Sequence, residues 1–191
     1  MSFGPDLKII IVGTSGTGKT SLFKKYTGRK FSDIYKPSVS SEFYSKNFKY
    51  KGKLYKIQMW DVICQKKYAS LIKIFSKGSH GCIFLSDATN LQTREDILEW
   101  KKSVDKEAVF LDGGKLPSII VESKCDLIKE NQKKNFKKEL NEFAEKNEFY
   151  GAFLASSKTG ENVNKSFHFL LKIIIKRMDD IVSKGKEDFF F

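Results

Sequence analysis

A glycine-rich segment near the start of the chain has the composition of a phosphate-binding loop. Residues 13–20 read GTSGTGKT and fit the pattern G-x-x-x-x-G-K-[ST] throughout. Glycines in such a loop let the backbone wrap closely, so that several N–H groups point at phosphate oxygens. In this pattern Lys19 is expected to reach the β and γ phosphates, and Thr20 to place its hydroxyl on Mg²⁺. The loop alone does not distinguish ATP from GTP, and a chance glycine-rich turn is the alternative interpretation.

The segments on either side of this loop favour a true phosphate site. An apolar run at residues 7–12 predicts a buried strand that leads into the loop, and residues 19–26 predict a helix that leads out of it. The start of a helix adds the positive end of its dipole to the amide groups of the loop. Further along, Lys51-Gly52 predicts a hairpin turn between two strands, since apolar and polar residues alternate after it.

The rest of the chain alternates between strands and helices. After a polar stretch that follows the hairpin, the predicted strands are residues 81–86, 118–121 and 151–155, and the predicted helices are residues 91–106, 132–146 and 163–178. This alternation predicts an α/β fold: a mostly parallel six-stranded sheet with helices on both faces, in which the hairpin supplies one antiparallel pair. Ligands of such sheets bind at the carboxyl ends of the strands, which is where the glycine-rich loop begins.

Four further segments, taken with the loop, resemble the Rab branch of the Ras-like small GTPases. Residues 35–43, YKPSVSSEF, resemble the first switch of that family, YxxTIGxxF, and residues 60–65, WDVICQ, resemble the second switch, WDTAGQ. Residues 123–126, SKCD, resemble the guanine-reading motif NKxD, and residues 156–158, SSK, resemble the SAK loop. The resemblance covers about residues 7–182 and implies the P-loop small GTPase fold.

The resemblance also implies roles at the phosphates and the metal. Ser38 stands where a threonine of the family binds Mg²⁺ and senses the γ phosphate, and Asp61 would hold Mg²⁺ through water. Gln65 would orient the attacking water and is the predicted catalytic residue. Cys64 replaces a glycine whose N–H meets the γ phosphate, and its Cβ restricts that approach. The predicted metal ligands are Thr20, Ser38 and Asp61.

For the base, the resemblance implies recognition of guanine. Asp126 would accept hydrogen bonds from the ring N–H and the exocyclic amine of guanine, which adenine does not offer. Lys124 would cover the base and the ribose, and a backbone N–H of residues 156–158 would meet the guanine carbonyl. Ser123 is shorter than the asparagine of the family, so we expect it to lose a tie to the phosphate loop. The predicted contacts to GTP or GDP are Ser15, Gly16, Thr17, Gly18, Lys19, Thr20, Ser21, Ser38, Cys64, Lys124, Asp126, Ser156, Ser157 and Lys158.

Two functions fit these motifs. The first is a Rab-like switch that binds GTP or GDP with Mg²⁺, hydrolyses GTP slowly and recruits effectors in vesicle or organelle traffic. The second is a pseudo-GTPase that keeps the fold and does not cycle, acting as a structural or scaffold subunit of a larger complex. The residues that favour the first function are Thr20, Asp61, Gln65 and Asp126. The exchanges at Cys64 and Ser123, together with the missing lipid site, favour the second.

Protein partners are expected at the switch loops. Phe43, Trp60 and Phe75 match an aromatic triad that Rab proteins present to effectors, although packing in the core is an equally good explanation of these residues. Residues 110–117, FLDGGKLP, resemble an insertion of the Rab subgroup that serves lysosome-related organelles. The sequence names no particular effector or organelle.

The size and composition of the chain predict its setting. The 191 residues suit a single G domain over residues 1–185 with a short tail over residues 186–191. No apolar run reaches the ~20 residues that span a bilayer, and the first residues do not resemble a signal peptide. Three scattered cysteines do not suggest a disulfide framework. We therefore expect a cytoplasmic protein, recruited to an organelle surface or a cytoskeletal assembly.

The net charge of +12 is carried mostly by lysine. A basic surface can attract acidic membranes, nucleic acid or acidic filaments, although a lysine-biased genome is the plainer explanation. Nucleic-acid readers favour arginine, and the chain has only Arg29, Arg94 and Arg177, so no nucleic-acid partner is expected. No cysteine follows Cys125, and Ser2 is not the glycine that myristoylation requires. We therefore expect that any membrane association does not depend on a lipid attached to the chain.

Overall fold

The computed structural model of the chain describes residues 2–30, 42–62 and 69–184, with only the backbone at residues 69–71. The strands are β1 (Ser2–Phe3), β2 (Leu7–Val12), β3 (Glu42–Tyr50), β4 (Lys53–Asp61), β5 (Gly81–Asp87), β6 (Ser118–Ser123) and β7 (Ala152–Leu154). The helices are α1 (Lys19–Tyr26), α2 (Ala69–Ser76), α3 (Gln92–Glu107), α4 (Glu130–Lys146) and α5 (Val163–Ser183). A short 3₁₀ turn covers Cys125–Leu127.

The strands form one mostly parallel sheet, which confirms the predicted fold class. The parallel part runs β4-β2-β5-β6-β7, and β3 pairs antiparallel with β4 at one edge. The described residues contain seven strands where six were predicted, because β1 is a separate two-residue strand. Since β3 covers one side of β4 over its full length, β1 and β2 both lie along the other side. The sheet therefore has six positions across its width.

One helix was not predicted from the sequence. The segment read as a polar stretch after the hairpin contains α2, which packs on α3. Ile72 of this helix is buried and Phe75 is half-buried. This apolar face is only eight residues long, and so short a helix depends on its tertiary contact with α3.

The parallel strands are buried because helices cover both of their faces. Every residue of β5 and β6 is buried, and β5 contacts both α3 and α5, so these two helices lie on opposite faces. On the α5 face, the rings of Tyr26 and Phe167 stack with 3.9 Å between their centroids. No helix among the described residues is both long and apolar enough to cross a bilayer.

The parallel strands give the molecule two distinct ends. Val12, Asp61, Asp87 and Ser123 all lie at or near the carboxyl ends of their strands and therefore meet at one edge of the sheet. The turn between β3 and β4, at Lys51 and Gly52, lies at the opposite edge. We call these the carboxyl edge and the amino edge.

Candidate functional site

The glycine-rich loop forms the centre of the carboxyl edge. Gly16 and Gly18 have φ of +82° and +90°, a left-handed conformation that side chains rarely adopt. At Gly13, a Cβ would lie 2.2 Å from the carbonyl oxygen of Leu85, so only glycine allows the loop to pass β5 this closely. The hydroxyl of Thr17 donates to the carbonyl oxygen of Thr14 at 2.8 Å and closes the loop on itself. The conformation of this loop therefore requires glycine at three positions, which a chance glycine-rich turn would not.

Lys19 lies at the start of α1 with its side chain folded over the loop. Its Nζ donates to the carbonyl oxygens of Gly13 at 2.8 Å and Thr14 at 3.3 Å. An ammonium group has three donors, so these two bonds fix its position and leave one N–H for an anion above the loop. The neighbouring predicted contacts differ in burial: Ser15 and Gly16 are exposed, and Ser21 is half-buried.

Thr20 and Asp61 are brought together from α1 and the end of β4. The Thr20 hydroxyl donates to Asp61 Oδ2. Asp61 is 2% exposed, and burial raises the pKa of its carboxyl, while the Thr20 hydrogen bond and the charge of Lys19 oppose that shift. Within the described part of the chain, this carboxylate has no ion-pair partner within 4.0 Å. A buried carboxylate beside a hydroxyl offers hard oxygen ligands, so the two residues fit Mg²⁺.

Ser123 keeps the tie to the phosphate loop that its short side chain was expected to lose. Its Oγ lies 2.7 Å from the carbonyl oxygen of Thr17 and 2.8 Å from that of Ser86, and it is buried. One hydroxyl proton serves these two acceptors, whereas an asparagine amide has two donors. The expectation was wrong because the end of β6 lies close enough to the loop for a short side chain to reach it.

The two charged residues of the 123–126 segment differ in their contacts. Lys124 has φ of 59°, and its Nζ donates to Asp87 Oδ2 at 2.5 Å. Asp87 also accepts, through Oδ1, from the backbone and hydroxyl of Thr89, so it braces the turn after β5. The carboxylate of Asp126 is half-buried and has no hydrogen-bond or ion-pair partner among the described residues. Its two oxygens are therefore available to hydrogen-bond donors of a ligand.

The loop that follows β7 closes the site from the third side. The backbone N–H of Cys125 donates to the carbonyl oxygen of Ala155 at 3.1 Å. The Cys125 thiol lies 3.5 Å from Glu161 Oε2, and burial, followed by the charge of Glu161, raises its pKa to about 12. Ser156 and Ser157 are buried and Lys158 is exposed. The carbonyl oxygen of Lys158 accepts from Lys25 Nζ of α1 at 3.4 Å, which links this loop to the phosphate side.

Three of the predicted site residues lie outside the described residues: Ser38, Cys64 and the predicted catalytic residue, Gln65. Of the predicted metal ligands, the structure therefore describes Thr20 and Asp61, and the metal-binding and catalytic roles of all these residues stay predictions.

The aromatic residues of the predicted partner surface do meet. The ring centroids of Phe43 and Trp60 are 5.1 Å apart, and those of Trp60 and Phe75 are 5.9 Å apart. Trp60 and Phe75 rest on the core, while Phe43 is 50% exposed. Trp60 and Phe75 therefore pack on the core, and Phe43 is the exposed member of the cluster.

Several residues that build the site were not found by sequence reasoning. Asp87 follows a predicted strand at the carboxyl edge, and that position is the signal that would have suggested it. Arg94 of α3 and Glu122 of β6 form a buried ion pair that was also not predicted. Glu122 lies within an apolar run, and its partner is 28 residues away, so no local pattern indicated the pair. Asp96 of α3 accepts from the Thr14 hydroxyl at 3.2 Å, a contact between residues far apart in the sequence.

This geometry defines a class of protein: an α/β domain with a phosphate-binding loop and two flanking loops gathered at the carboxyl ends of its strands. The Ras family model matches residues 8–176, and the chain belongs to the Ras family. The chain is 30% identical over 170 residues to Ras-related protein Rab-32C of Dictyostelium discoideum, covering 89% of this chain and 74% of that relative.

Two human relatives are also similar. Ras-related protein Rab-7L1 is 27% identical over 178 residues, covering 92% of this chain and 86% of the relative. Ras-related protein Rab-32 is 26% identical over 169 residues, covering 88% of this chain and 74% of the relative. These relatives confirm the predicted resemblance: the chain is a divergent Rab-like small GTPase.

Proposed function

We propose that the protein binds GTP and GDP with Mg²⁺ and acts as a switch that recruits protein effectors, with slow hydrolysis of GTP. The observation that carries the proposal is the bonding of three loops into one site. Ser123 joins the base-reading segment to the phosphate loop, and Cys125 joins it to the loop after β7. Such a bonded arrangement is preorganised, which lowers the entropy cost of binding a ligand.

At the phosphates, we infer that Lys19 uses its remaining N–H on the β and γ oxygens, while the loop amides and the start of α1 bind the rest. Thr20 and Asp61 are the described residues that would hold Mg²⁺, Thr20 directly and Asp61 through water. Bound Mg²⁺ would offset the negative charge of the phosphates. Binding would also place a cation beside Asp61, whose buried carboxylate has no cationic partner within 4.0 Å among the described residues.

At the base, Asp126 would select guanine through two hydrogen bonds to its N–H groups. A buried or half-buried charged acceptor that loses its donors is costly, which is why adenine would be rejected. Lys124 is held by Asp87 at the same edge, with its aliphatic stem available to lie against a base.

Hydrolysis is proposed to be slow. By resemblance, Gln65 orients water, and Cys64 replaces a glycine beside the γ phosphate. Unassisted Ras-like proteins turn over at on the order of 10⁻⁴ per second, because no arginine is supplied to the transition state. Arg94 and Arg177 are held in ion pairs with Glu122 and Asp112. The guanidinium of Arg29 lies over the ring of Tyr44, 5.2 Å from its centroid. A partner that supplies a catalytic group would therefore be needed for fast turnover.

The aromatic cluster of Phe43, Trp60 and Phe75 is the proposed contact for effectors. It lies on β3, β4 and α2, and Phe43 and Trp60 are the last and first residues of the segments that resemble the two switches. Aromatic clusters in which buried rings support an exposed one often dominate the binding energy of an interface. On this proposal, Trp60→Ala weakens effector capture while nucleotide binding persists.

The test of nucleotide choice uses Asp126→Asn, with Asp180→Asn on the exposed end of α5 as its matched control. In this variant an NH₂ donor replaces one of the two carboxylate oxygens of Asp126. Xanthine carries a carbonyl acceptor where guanine carries its exocyclic amine, so the variant should prefer a xanthine nucleotide. We expect GDP affinity to fall by roughly 2–5 kcal/mol and affinity for xanthosine diphosphate to rise, with no change in the control. Equal competition by ATP and GTP against the wild-type protein would refute guanine selection.

The competing hypothesis, a scaffold that does not cycle, is tested by chromatography of the nucleotide released on denaturation. Purified protein that carries GDP and exchanges it for added GTP supports the switch. Protein that releases nothing, or holds one nucleotide through prolonged incubation with EDTA and excess GTP, supports the scaffold.

A further inference from the structure

The hairpin of β3 and β4 carries its charges at opposite ends. Residues 42–61 contain five lysines and only two acidic residues, Glu42 and Asp61. The two acids are register partners at the carboxyl edge. Lys53 lies at the other end of β4, roughly 26 Å away at about 3.3 Å per residue. The amino end of the hairpin therefore has lysines without neighbouring acids in these two strands.

Three lysines at this end are unpaired. Lys49, Lys53 and Lys56 are exposed, and within the described ranges none of them has an ion-pair partner. A fourth, Lys51, occupies the turn with φ of 47°, followed by Gly52 with φ of 77°. Two-residue turns of this type favour asparagine, aspartate or glycine at the first position, so a lysine there is locally unfavourable. Lys51 nevertheless places a positive charge at the tip of the hairpin.

Helix α5 brings one acid and one lysine to the same end. Lys51 Nζ lies 3.5 Å from Asp179 Oδ2, which connects the turn to the last part of the helix. The Nζ of Lys172 lies 5.9 Å from the centre of the Tyr50 ring, and the Nζ of Lys51 lies 5.6 Å from it. Asp179 offsets the charge of Lys51, so Lys172 is the positive charge that α5 adds beside the exposed lysines of the hairpin.

An exposed phenylalanine stands at the same end of the hairpin. Phe3 is 79% exposed and is the register partner of Leu54, which in turn pairs with Lys49. Register partners project to the same face of a sheet, so Phe3, Leu54 and Lys49 form one row. The backbone N–H of Gly4 donates to the carbonyl oxygen of Leu54 at 2.9 Å, which fixes the segment against β4. An apolar ring is thereby held in water beside the lysines.

We propose that the amino-edge surface, formed by Phe3, Lys49 and Lys56 on one face of the hairpin and by Lys53 and Lys172 on the other, binds the anionic headgroups of a lipid bilayer end-on, with Phe3 entering the interface. Lysines near an anionic bilayer each add attraction, and an apolar ring among them gains from leaving water. The surface lies opposite the nucleotide site, so both can be occupied together. Binding there directs the nucleotide site and the carboxyl edge away from the bilayer.

The observations favour a bilayer over nucleic acid. No arginine belongs to this surface, and arginine forks are the usual groups for reading bases. Single-stranded nucleic acid also needs a series of exposed rings for stacking. Phe43, the exposed ring of the effector cluster, lies at the far end of β3.

The test is cosedimentation of the full chain with vesicles of phosphatidylcholine alone or with about 30% phosphatidylserine, at about 0.1 M and 0.5 M salt. We expect binding only to the anionic vesicles, weakened at the higher salt. Since each lysine contributes roughly fivefold, the triple variant Lys49→Glu, Lys53→Glu, Lys56→Glu should bind on the order of 100-fold more weakly or worse. Phe3→Ser should weaken binding roughly tenfold at either salt.

The matched control carries the same charge change at the residue before α4 and on that helix: Lys129→Glu, Lys134→Glu, Lys137→Glu, all exposed positions. It should retain most of the vesicle binding, and both triple variants should keep wild-type affinity for fluorescent GDP, which confirms folding. A milder triple variant, with glutamine at residues 49, 53 and 56, covers the case in which charge reversal prevents folding. Equal loss in the α4 control, or no preference of the wild type for anionic vesicles, would overturn the proposal. So would binding of single-stranded RNA through the hairpin lysines when vesicles are not bound.

Discussion

The buried ion pair between Arg94 and Glu122 gives the sharpest prediction about stability. Glu122 is completely buried within β6, and Arg94 of α3 is 7% exposed. The guanidinium makes two parallel bonds, Nε to Oε1 and Nη2 to Oε2, both 2.9 Å long. A second acid, Glu139, lies 4.0 Å from Nη1 but its side chain is 45% exposed, so it contributes little.

Replacing Arg94 by methionine removes the cation and leaves Glu122 as an uncompensated buried carboxylate. Breaking a buried pair in this way costs about 3–5 kcal/mol of the free energy of unfolding. For a chain of this length, that loss corresponds to a fall in Tm of roughly 6–20 °C. Because Glu122 directly precedes Ser123, we also expect weaker nucleotide binding.

Urea unfolding of three variants separates the pair from the general effect of losing a side chain. The double variant Arg94→Met, Glu122→Met removes both charges and should recover most of the lost stability, because well-packed apolar residues often replace such pairs without cost. Lys138→Met breaks an exposed pair with Glu142, 3.8 Å apart, and should change stability by less than about 1 kcal/mol. If Arg94→Met costs no more than the Lys138 control, or the double variant is as unstable as the single one, the reasoning is refuted.

Two further predictions concern single positions. Ser123→Asn, which installs the residue of the family motif, should destabilise the protein by roughly 1–3 kcal/mol in urea unfolding, because the added atoms enter a buried position between the carbonyls of Thr17 and Ser86; unchanged or higher stability would contradict this account. His80 Nδ1 accepts from the backbone N–H of Lys8 at 3.0 Å, and burial, with the charge of Lys8, lowers the pKa of His80 below its usual value near 6.5. The unfolded chain therefore binds the proton first, and stability falls as the pH drops below about 6.5 towards the pKa of the folded state. His80→Asn keeps an acceptor without the titration and should flatten that dependence by at most about 1.4 kcal/mol per pH unit, and an unchanged slope would contradict the assignment.

Much of the fold could be predicted from periodicity because the relevant interactions are local. The helix at residues 19–26 and the strand at residues 7–12 have the predicted bounds, since a glycine-rich loop separates two segments of clear apolar pattern. The hairpin turn was predictable from Gly52 and the alternation after it. By contrast, α2 depends on packing against α3, and β1 depends on pairing with β4, and neither partner is close in sequence.

The candidate site likewise has a part that the sequence predicts and a part that it does not. Its motifs were recognisable because phosphate binding requires particular residue types at fixed spacing, as at Lys19 and Thr20. The bonds that position the motifs were not predictable, because they join residues far apart in the chain. The Lys124–Asp87 pair and the buried pair of Arg94 with Glu122 are of this kind.

The outcome at Ser123 shows how a motif can change while its mechanical role remains. A side chain one bond longer than alanine can reach Thr17 only if the end of β6 already lies near the phosphate loop. Pairing of β6 with β5 places Ser123 there, and a chain of bonds supports that position: Glu122 is bonded to α3 through Arg94, and α3 is bonded to the phosphate loop through Asp96 and Thr14. The buried pair and the short side chain are therefore parts of one arrangement, in which α3 holds β6 and the loop together. Loss of Arg94 should therefore weaken the hydrogen bond of Ser123 to Thr17 as well as the fold. Whether the motif at residues 123–126 is functional depends on residues outside it, here Arg94 and Glu122.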